Sequence, residues 1–240
     1  MITIPRRMLL AGLASVALAT VPKSGRRALA DTALEDVSVK TPSGRTVSAV
    51  LAVPATVPAP SVLLIHGSGG LSDLYKSWAM EFAKEGFVGL AVDLYGGQPR
   101  TDDAMGETLV AWIEWLKGDG RTNGKVGIVG WSFGAKWALK ASLAAPVEAT
   151  VMYVSVTWPR DELTRLKGPV LGHFGERDPS TSKSLVEMFE ARMKEAGKSA
   201  EVHWYAGDHY FPFPPLPSYD KKLADTAWTR TVDFFRANLR

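Results

Sequence analysis

The stretch 125–135, KVGIVGWSFGA, constrains this chain more than any other. A short apolar run ends in Gly130-Trp131-Ser132-Phe133-Gly134, a G-x-S-x-G pattern, and the residues after it read as helix. A serine between such glycines fits a sharp turn from strand to helix that lifts its hydroxyl clear of a sheet. The spacing has a steric cause. The serine backbone is strained, and its neighbours two positions away come so close that a side chain on either would collide. Five residues can match by chance in a chain with 22 glycines, so the flanking strand and helix carry much of the weight.

The rest of the chain supplies a frame for that turn. Residues 34–39 and 46–53 read as two strands around the turn residues Pro42-Ser43-Gly44, an antiparallel hairpin at a sheet edge. Residues 61–65 form a continuous apolar run, the mark of a strand covered on both faces, and lead into His66-Gly67-Ser68-Gly69-Gly70. Strand and helix signals then alternate. Strands are expected at 87–92, 150–154, 169–174 and 201–205, with Gly124 just ahead of the strand that carries Ser132. Helical stripes run through Leu74, Trp78 and Phe82, through Leu109, Trp112, Ile113 and Leu116, and through Leu185 and Phe189; Trp228, Val232, Phe235 and Leu239 mark a closing helix. This alternation implies an α/β fold, a mostly parallel central sheet with helices on both faces. Reactive groups of such sheets gather at the carboxyl ends of the strands.

Length and composition suit one globular domain: 240 residues, 46% hydrophobic and 22% charged. The net charge of +3 belongs to the first thirty residues, which hold Arg6, Arg7, Lys23, Arg26 and Arg27 and no acid; the remainder is net −2. A nucleic-acid partner therefore has no electrostatic basis. The absence of cysteine excludes disulfides, a thiol nucleophile and thiolate-bound metal. A basic head, an apolar run at 8–20 and Ala28-Leu29-Ala30 give residues 1–30 the anatomy of an export signal peptide. Arg6-Arg7 gives it a twin-arginine character, although Pro5 departs from that pattern and the general secretory route stays open. The apolar run is too short for a bilayer of roughly 30 Å. The expectation is a periplasmic or secreted domain at 31–240, with no stable membrane anchor, as a monomer or small homo-oligomer.

A serine hydroxyl needs a base within hydrogen-bond reach and a third group to orient that base. On sheets of this kind the chain order is Ser, then Asp or Glu, then His. His173, His203 and His209 follow Ser132. The first two fall inside expected strands, whereas His209 sits in Gly207-Asp208-His209-Tyr210, just past the last one, and is the candidate base. Gly175-Glu176-Arg177-Asp178-Pro179 offers Asp178 as the acid, with Glu176 in reserve; Asp208 is too close in sequence to reach the ring easily. Asp before Pro is equally an N-cap, so capping and catalysis compete for Asp178. An oxyanion needs preorganised backbone donors, which Phe133 and Ser68 could supply, Ser68 from its glycine-rich loop. No metal or organic cofactor is required for this chemistry.

With GWSFG, GERD and GDHYF in place, together with Val92-Asp93-Leu94-Tyr95, Asn123-Gly124-Lys125-Val126-Gly127 and Phe234-Phe235 near the end, the chain resembles the dienelactone hydrolase family. The likeness spans about residues 34–240. It implies the α/β-hydrolase fold, with Ser132, Asp178 and His209 as the triad. Two departures stand out. The founding enzymes use cysteine where Ser132 stands and glutamate where Gly67 stands, and their arginines for a substrate carboxylate are Phe213 and Gly97 here. The expected substrate is therefore a small ester or lactone without that carboxylate. Trp131, Tyr210, Phe211 and Phe213 are candidates to contact it, against the plain alternative that they are core. Only 157–168 separate two strands where a cap could enter, so no large cap domain is expected. Thioester hydrolysis and perhydrolysis could use the same constellation, and a non-catalytic binding protein could use the same fold.

Overall fold

The computed structural model describes residues 33–157 and 162–240. The expected export signal at 1–30 lies outside them.

In chain order the elements are β1 (Leu34–Lys40), β2 (Thr46–Ala52), β3 (Ala59–Ile65), α1 (Asp73–Lys84), β4 (Val88–Val92), α2 (Asp102–Gly118), β5 (Thr122–Trp131) and α3 (Phe133–Ala144). They continue with β6 (Ala149–Tyr153), a 3-10 turn (Leu163–Arg165), β7 (Val170–Gly175), α4 (Lys183–Glu195), β8 (Ala200–Tyr205) and α5 (Lys221–Asn238). The sheet runs β1-β2-β4-β3-β5-β6-β7-β8. β1 and β2 form an antiparallel hairpin at one edge, β2 meets β4 antiparallel, and all later neighbours are parallel. Expected and observed strand limits differ by a residue or three, and Gly124 falls inside β5 instead of ahead of it.

The central strands are covered on both faces because their residues point alternately to each. On β3, Val62 and Leu64 pack with Tyr75, Ala79 and Phe82 of α1 and Val232 and Phe235 of α5. Leu63 and Ile65 pack the other way, with Leu109, Trp112 and Ile113 of α2 and Trp137 and Ala138 of α3. A third cluster, on the same face as α3, joins Val186, Phe189 and Met193 of α4 to Leu139. The hydrophobic effect, about 25 cal/mol per Å² of apolar surface, thus drives all three layers together. β5 follows the same alternation, which sends Val129 and Trp131 to the α1/α5 side.

Local sequence sets the helix ends. α1 closes in a Schellman motif: Gly86 takes φ +92° and donates to Ala83 O, while Phe87 donates to Phe82 O. Asp220 Oδ1 accepts from Leu223 N (3.1 Å) at the start of α5, and Thr101 Oγ1 from Ala104 N (3.2 Å) at that of α2. Between Tyr153 and Val170 the described chain holds only the short 3-10 turn, so no large cap covers the carboxyl edge. Register aligns Ile65 with Gly130, Trp131 with Tyr153 and Gly175 with Tyr205. The loops after β3, β5, β7 and β8 therefore emerge along one edge.

Candidate active site

Ser132 stands between β5 and α3 with φ 52° and ψ −114°, a conformation that costs a non-glycine residue of order 1–3 kcal/mol. The neighbourhood enforces it. Ser132 N donates to Tyr153 O (2.9 Å), and Ser132 O accepts from Ala135 N (3.0 Å). A Cβ on Gly130 would run into the Gly134 carbonyl, and one on Gly134 into the Ile65 carbonyl. Both glycines are there so that α3 can pass this close to β3 and β5.

The loops after β7 and β8 bring two further side chains to that turn. His209 Nδ1 donates to Asp178 Oδ2 (2.7 Å), because an ionised carboxylate can only accept. Nε2 is then left to accept the Ser132 hydroxyl (2.9 Å). The Asp178 side chain is fully buried and that of His209 is 13% exposed. A buried carboxylate requires this pairing. Backbone bonds lash the two loops together, from Arg177 N to Gly207 O (2.9 Å) and from Glu176 N to Tyr205 O (2.8 Å).

The expected competition for Asp178 resolves differently. Its Oδ1 accepts from Ser180 N (2.7 Å) in a local turn while Oδ2 holds His209, so one carboxylate serves both ends. The cap of α4 falls to Ser182 instead, whose hydroxyl accepts from Leu185 N (3.3 Å). Glu176 is exposed. Asp208 holds Tyr210 N (2.8 Å), a bond that draws its carboxyl below the usual range. His173 and His203 lie inside β7 and β8: His173 is buried between Tyr205 Oη (2.8 Å) and Thr231 Oγ1 (3.0 Å), and His203 pairs with Glu201 (2.6 Å) at the sheet edge.

A cavity of about 350 Å³ opens on Ser132 and His209 and is lined by Gly67–Gly70, Leu74, Tyr75, Tyr210, Phe213 and Leu216 among others. Ser68 is therefore at the cavity wall. Phe133 opens α3, so its amide is one of the four unpaired N–H groups of a helix start. Its ring packs beside Tyr95 and Trp137. Of the four aromatics expected at the substrate, the cavity takes Tyr210 and Phe213. Phe211 is instead fully buried, stacked on Tyr205 at 5.0 Å, because the loop folds back and Asp220 N bonds Phe211 O (3.1 Å). Trp131 is packed into the core cluster under α1 and α5, behind Tyr75 and away from the cavity lining. It stacks between Trp78 (4.3 Å) and Tyr153 (5.4 Å), at the floor of a second hollow of about 220 Å³.

Leu74, Tyr75 and Leu216 are cavity residues that the sequence reading passed over. The helical stripe already ran through Leu74, and Tyr75 lies one turn before Trp78, but nothing in spacing said that α1 leans over the loop after β3. Among the described residues, no lysine or arginine lines the cavity.

The model of the dienelactone hydrolase family matches residues 47–111 and 97–239. A carboxymethylenebutenolidase of Pseudomonas putida is 24% identical over 229 residues, which span 83% of this chain and 95% of its own. A Bradyrhizobium protein named "Probable 2-oxo-3-(5-oxofuran-2-ylidene)propanoate lactonase" is 25% identical over 211 residues, 75% of this chain and 84% of its own. Among solved structures, a dienelactone hydrolase-like promiscuous phosphotriesterase from metagenomic libraries superposes with TM-score 0.76 at 20% identity, over 87% of this chain and 100% of that one. That last likeness is one of fold.

Proposed function

Since the chain belongs to the dienelactone hydrolase family and is a hydrolase acting on ester or lactone bonds, we propose that it works through Ser132 as nucleophile by way of an acyl-serine. The hydrogen-bonded run from Asp178 through His209 to Ser132, at 2.7 and 2.9 Å, carries this reading. Ser132 Oγ attacks the carbonyl carbon while its proton passes to His209 Nε2. Asp178 keeps the imidazole in the Nδ1–H form and stabilises the imidazolium. The amides of Phe133 and Ser68 meet the charge that grows on the carbonyl oxygen. His209 returns the proton to the departing oxygen, which in a lactone stays attached to the acyl group. Water deprotonated by His209 then attacks the acyl carbon and frees the acid.

Phe213 at the wall, with no lysine or arginine in the lining among the described residues, supports a neutral ester or lactone as substrate. A carboxylate beside the scissile bond would lose its hydration there without gaining a partner. The basic head, apolar run and Ala28-Leu29-Ala30 of residues 1–30 support export from the cytoplasm as part of the same proposal.

A fluorophosphonate probe should label the wild type and leave Ser132→Ala unlabelled. The folded wild type should turn over short-chain aryl esters faster than carboxylate-bearing lactones. Folded protein that resists the probe, or Ser132→Ala with wild-type turnover, would end this reading.

A further inference from the structure

The loop after β3 is gripped at both polar groups of one residue. Gly67 N donates to Tyr75 Oη (2.8 Å). Gly67 O accepts from His66 Nδ1 (2.7 Å) and from Gly70 N (3.2 Å). The imidazole has only one tautomer that fits. Leu94 N donates to His66 Nε2 (3.1 Å), so Nε2 carries the lone pair and Nδ1 the proton. Burial holds the His66 pKa below its ordinary value, in keeping with a neutral ring. His66 is fully buried and Tyr75 nearly so. A Cβ on Gly67 would lie 3.1 Å from Tyr75 Oη, so the phenol fills the space a side chain at that position would enter.

The consequence falls on the next amide. The 67–68 peptide is trans, and in a planar trans unit the C=O and the following N–H point in opposite directions. The Gly67 carbonyl is turned inward to His66, while Ser68 lines the cavity shared by Ser132 and His209.

We propose that His66 and Tyr75 are positioning residues that lock the Gly67–Ser68 peptide between them and so aim the Ser68 amide at the developing oxyanion. His66 is absent from the cavity lining, and Tyr75, although part of it, acts in this role through the hydroxyl it commits to Gly67 N. His66 fixes the carbonyl end of the plane, Tyr75 fixes the preceding N–H, and Leu94 fixes His66 through its tautomer. The inference rests on the Ser132 mechanism proposed above. Gly67 is small because a larger residue would displace the phenol that does the holding.

The experiment measures kcat, KM and affinity for an aryl boronic acid, whose tetrahedral serine adduct places a negative oxygen where the oxyanion forms. Variants are Tyr75→Phe, which deletes one oxygen and keeps the ring, His66→Leu, and His66→Asn, whose amide can still donate to Gly67 O. Loss of one oxyanion donor costs roughly 10²–10³ in kcat, and a misaimed donor should cost about 10- to 100-fold of that range. Tyr75→Phe and His66→Leu should therefore lower kcat about 10- to 100-fold and weaken the boronate by a similar factor. KM should stay within about twofold, and His66→Asn should recover part of the loss. Folded variants with wild-type kcat and boronate affinity would overturn the inference while leaving Ser132-dependent turnover intact. Wild-type turnover that survives Ser132→Ala would instead remove the mechanism it rests on.

Discussion

His173 and His209 are both bridged at each ring nitrogen by a side chain, yet they sit in regions built for opposite ends. His173, midway along β7, lies between Tyr205 and Thr231, and that cluster extends to Tyr153 (2.7 Å from Thr231) and Arg230 (3.1 Å from Tyr205). Its partners are hydroxyls, which can donate or accept, so nothing there rewards a positive ring; burial drives its pKa well below the ordinary value. His209, on a loop past β8, has a carboxylate on one side, a hydroxyl on the other and a cavity at its edge. What separates the two rings is the sign of the second partner and access, since the number of hydrogen bonds is the same, and on the proposed mechanism these are what suit His209 to act as the base. His173 ties β6, β7, β8 and α5 together.

Giving His209 an uncharged partner would break the contrast most sharply. Asp178→Asn can donate from its amide to Nδ1, which turns the Nε2 proton toward Ser132 and removes the acceptor; kcat should fall about 10³- to 10⁴-fold with little change in melting temperature. Steady-state kinetics on folded protein check this, and a drop below tenfold would mean that Asp178 is not orienting the base. The converse change, His173→Leu, should leave kcat per folded molecule nearly unchanged. It should cost about 1–3 kcal/mol in urea unfolding, as two buried hydroxyls lose a partner. A large kcat loss there would show that the inner cluster reaches the chemistry.

The smallest effect is one of pH. The pKa values of His66 and His173 are depressed in the fold, so between those values and the ordinary 6.5 the unfolded chain binds more protons. Stability should be full above about pH 6.5 and fall as the pH drops below it, by at most about 1.4 kcal/mol per pH unit for each ring. Melting curves from pH 7 to pH 5 should slope more gently in His173→Leu than in wild type. Equal slopes would mean that His173 does not carry its share.

The sequence made the elbow legible because Gly130 and Gly134 record a backbone collision directly, and collisions leave a residue type behind. That His209 and Asp178 come together at Ser132 was readable because strands end where apolar runs end and loops follow. What an aromatic faces was not readable in the same way. Trp131 and Ser132 are neighbours in the chain, but alternation along β5 sends the indole under α1 and α5, and Phe211 is drawn inward by a loop that closes on Asp220. The clamp on Gly67 was hidden for a related reason: His66 and Tyr75 are nine residues apart, and only the tilt of α1 over the loop makes them act on one peptide.

The stretch between Tyr210 and Leu216 separates the two hollows, with Tyr210, Phe213, Pro215 and Leu216 facing the serine and Pro212 and Pro214 facing the tryptophans. Proline fixes φ near −65°, so this partition has few shapes to choose from. In the proposed reaction it would present the acyl group with an edge of few conformations. Substitutions in this stretch would therefore alter acyl preference in the proposed reaction without a single change to Ser132, His209 or Asp178.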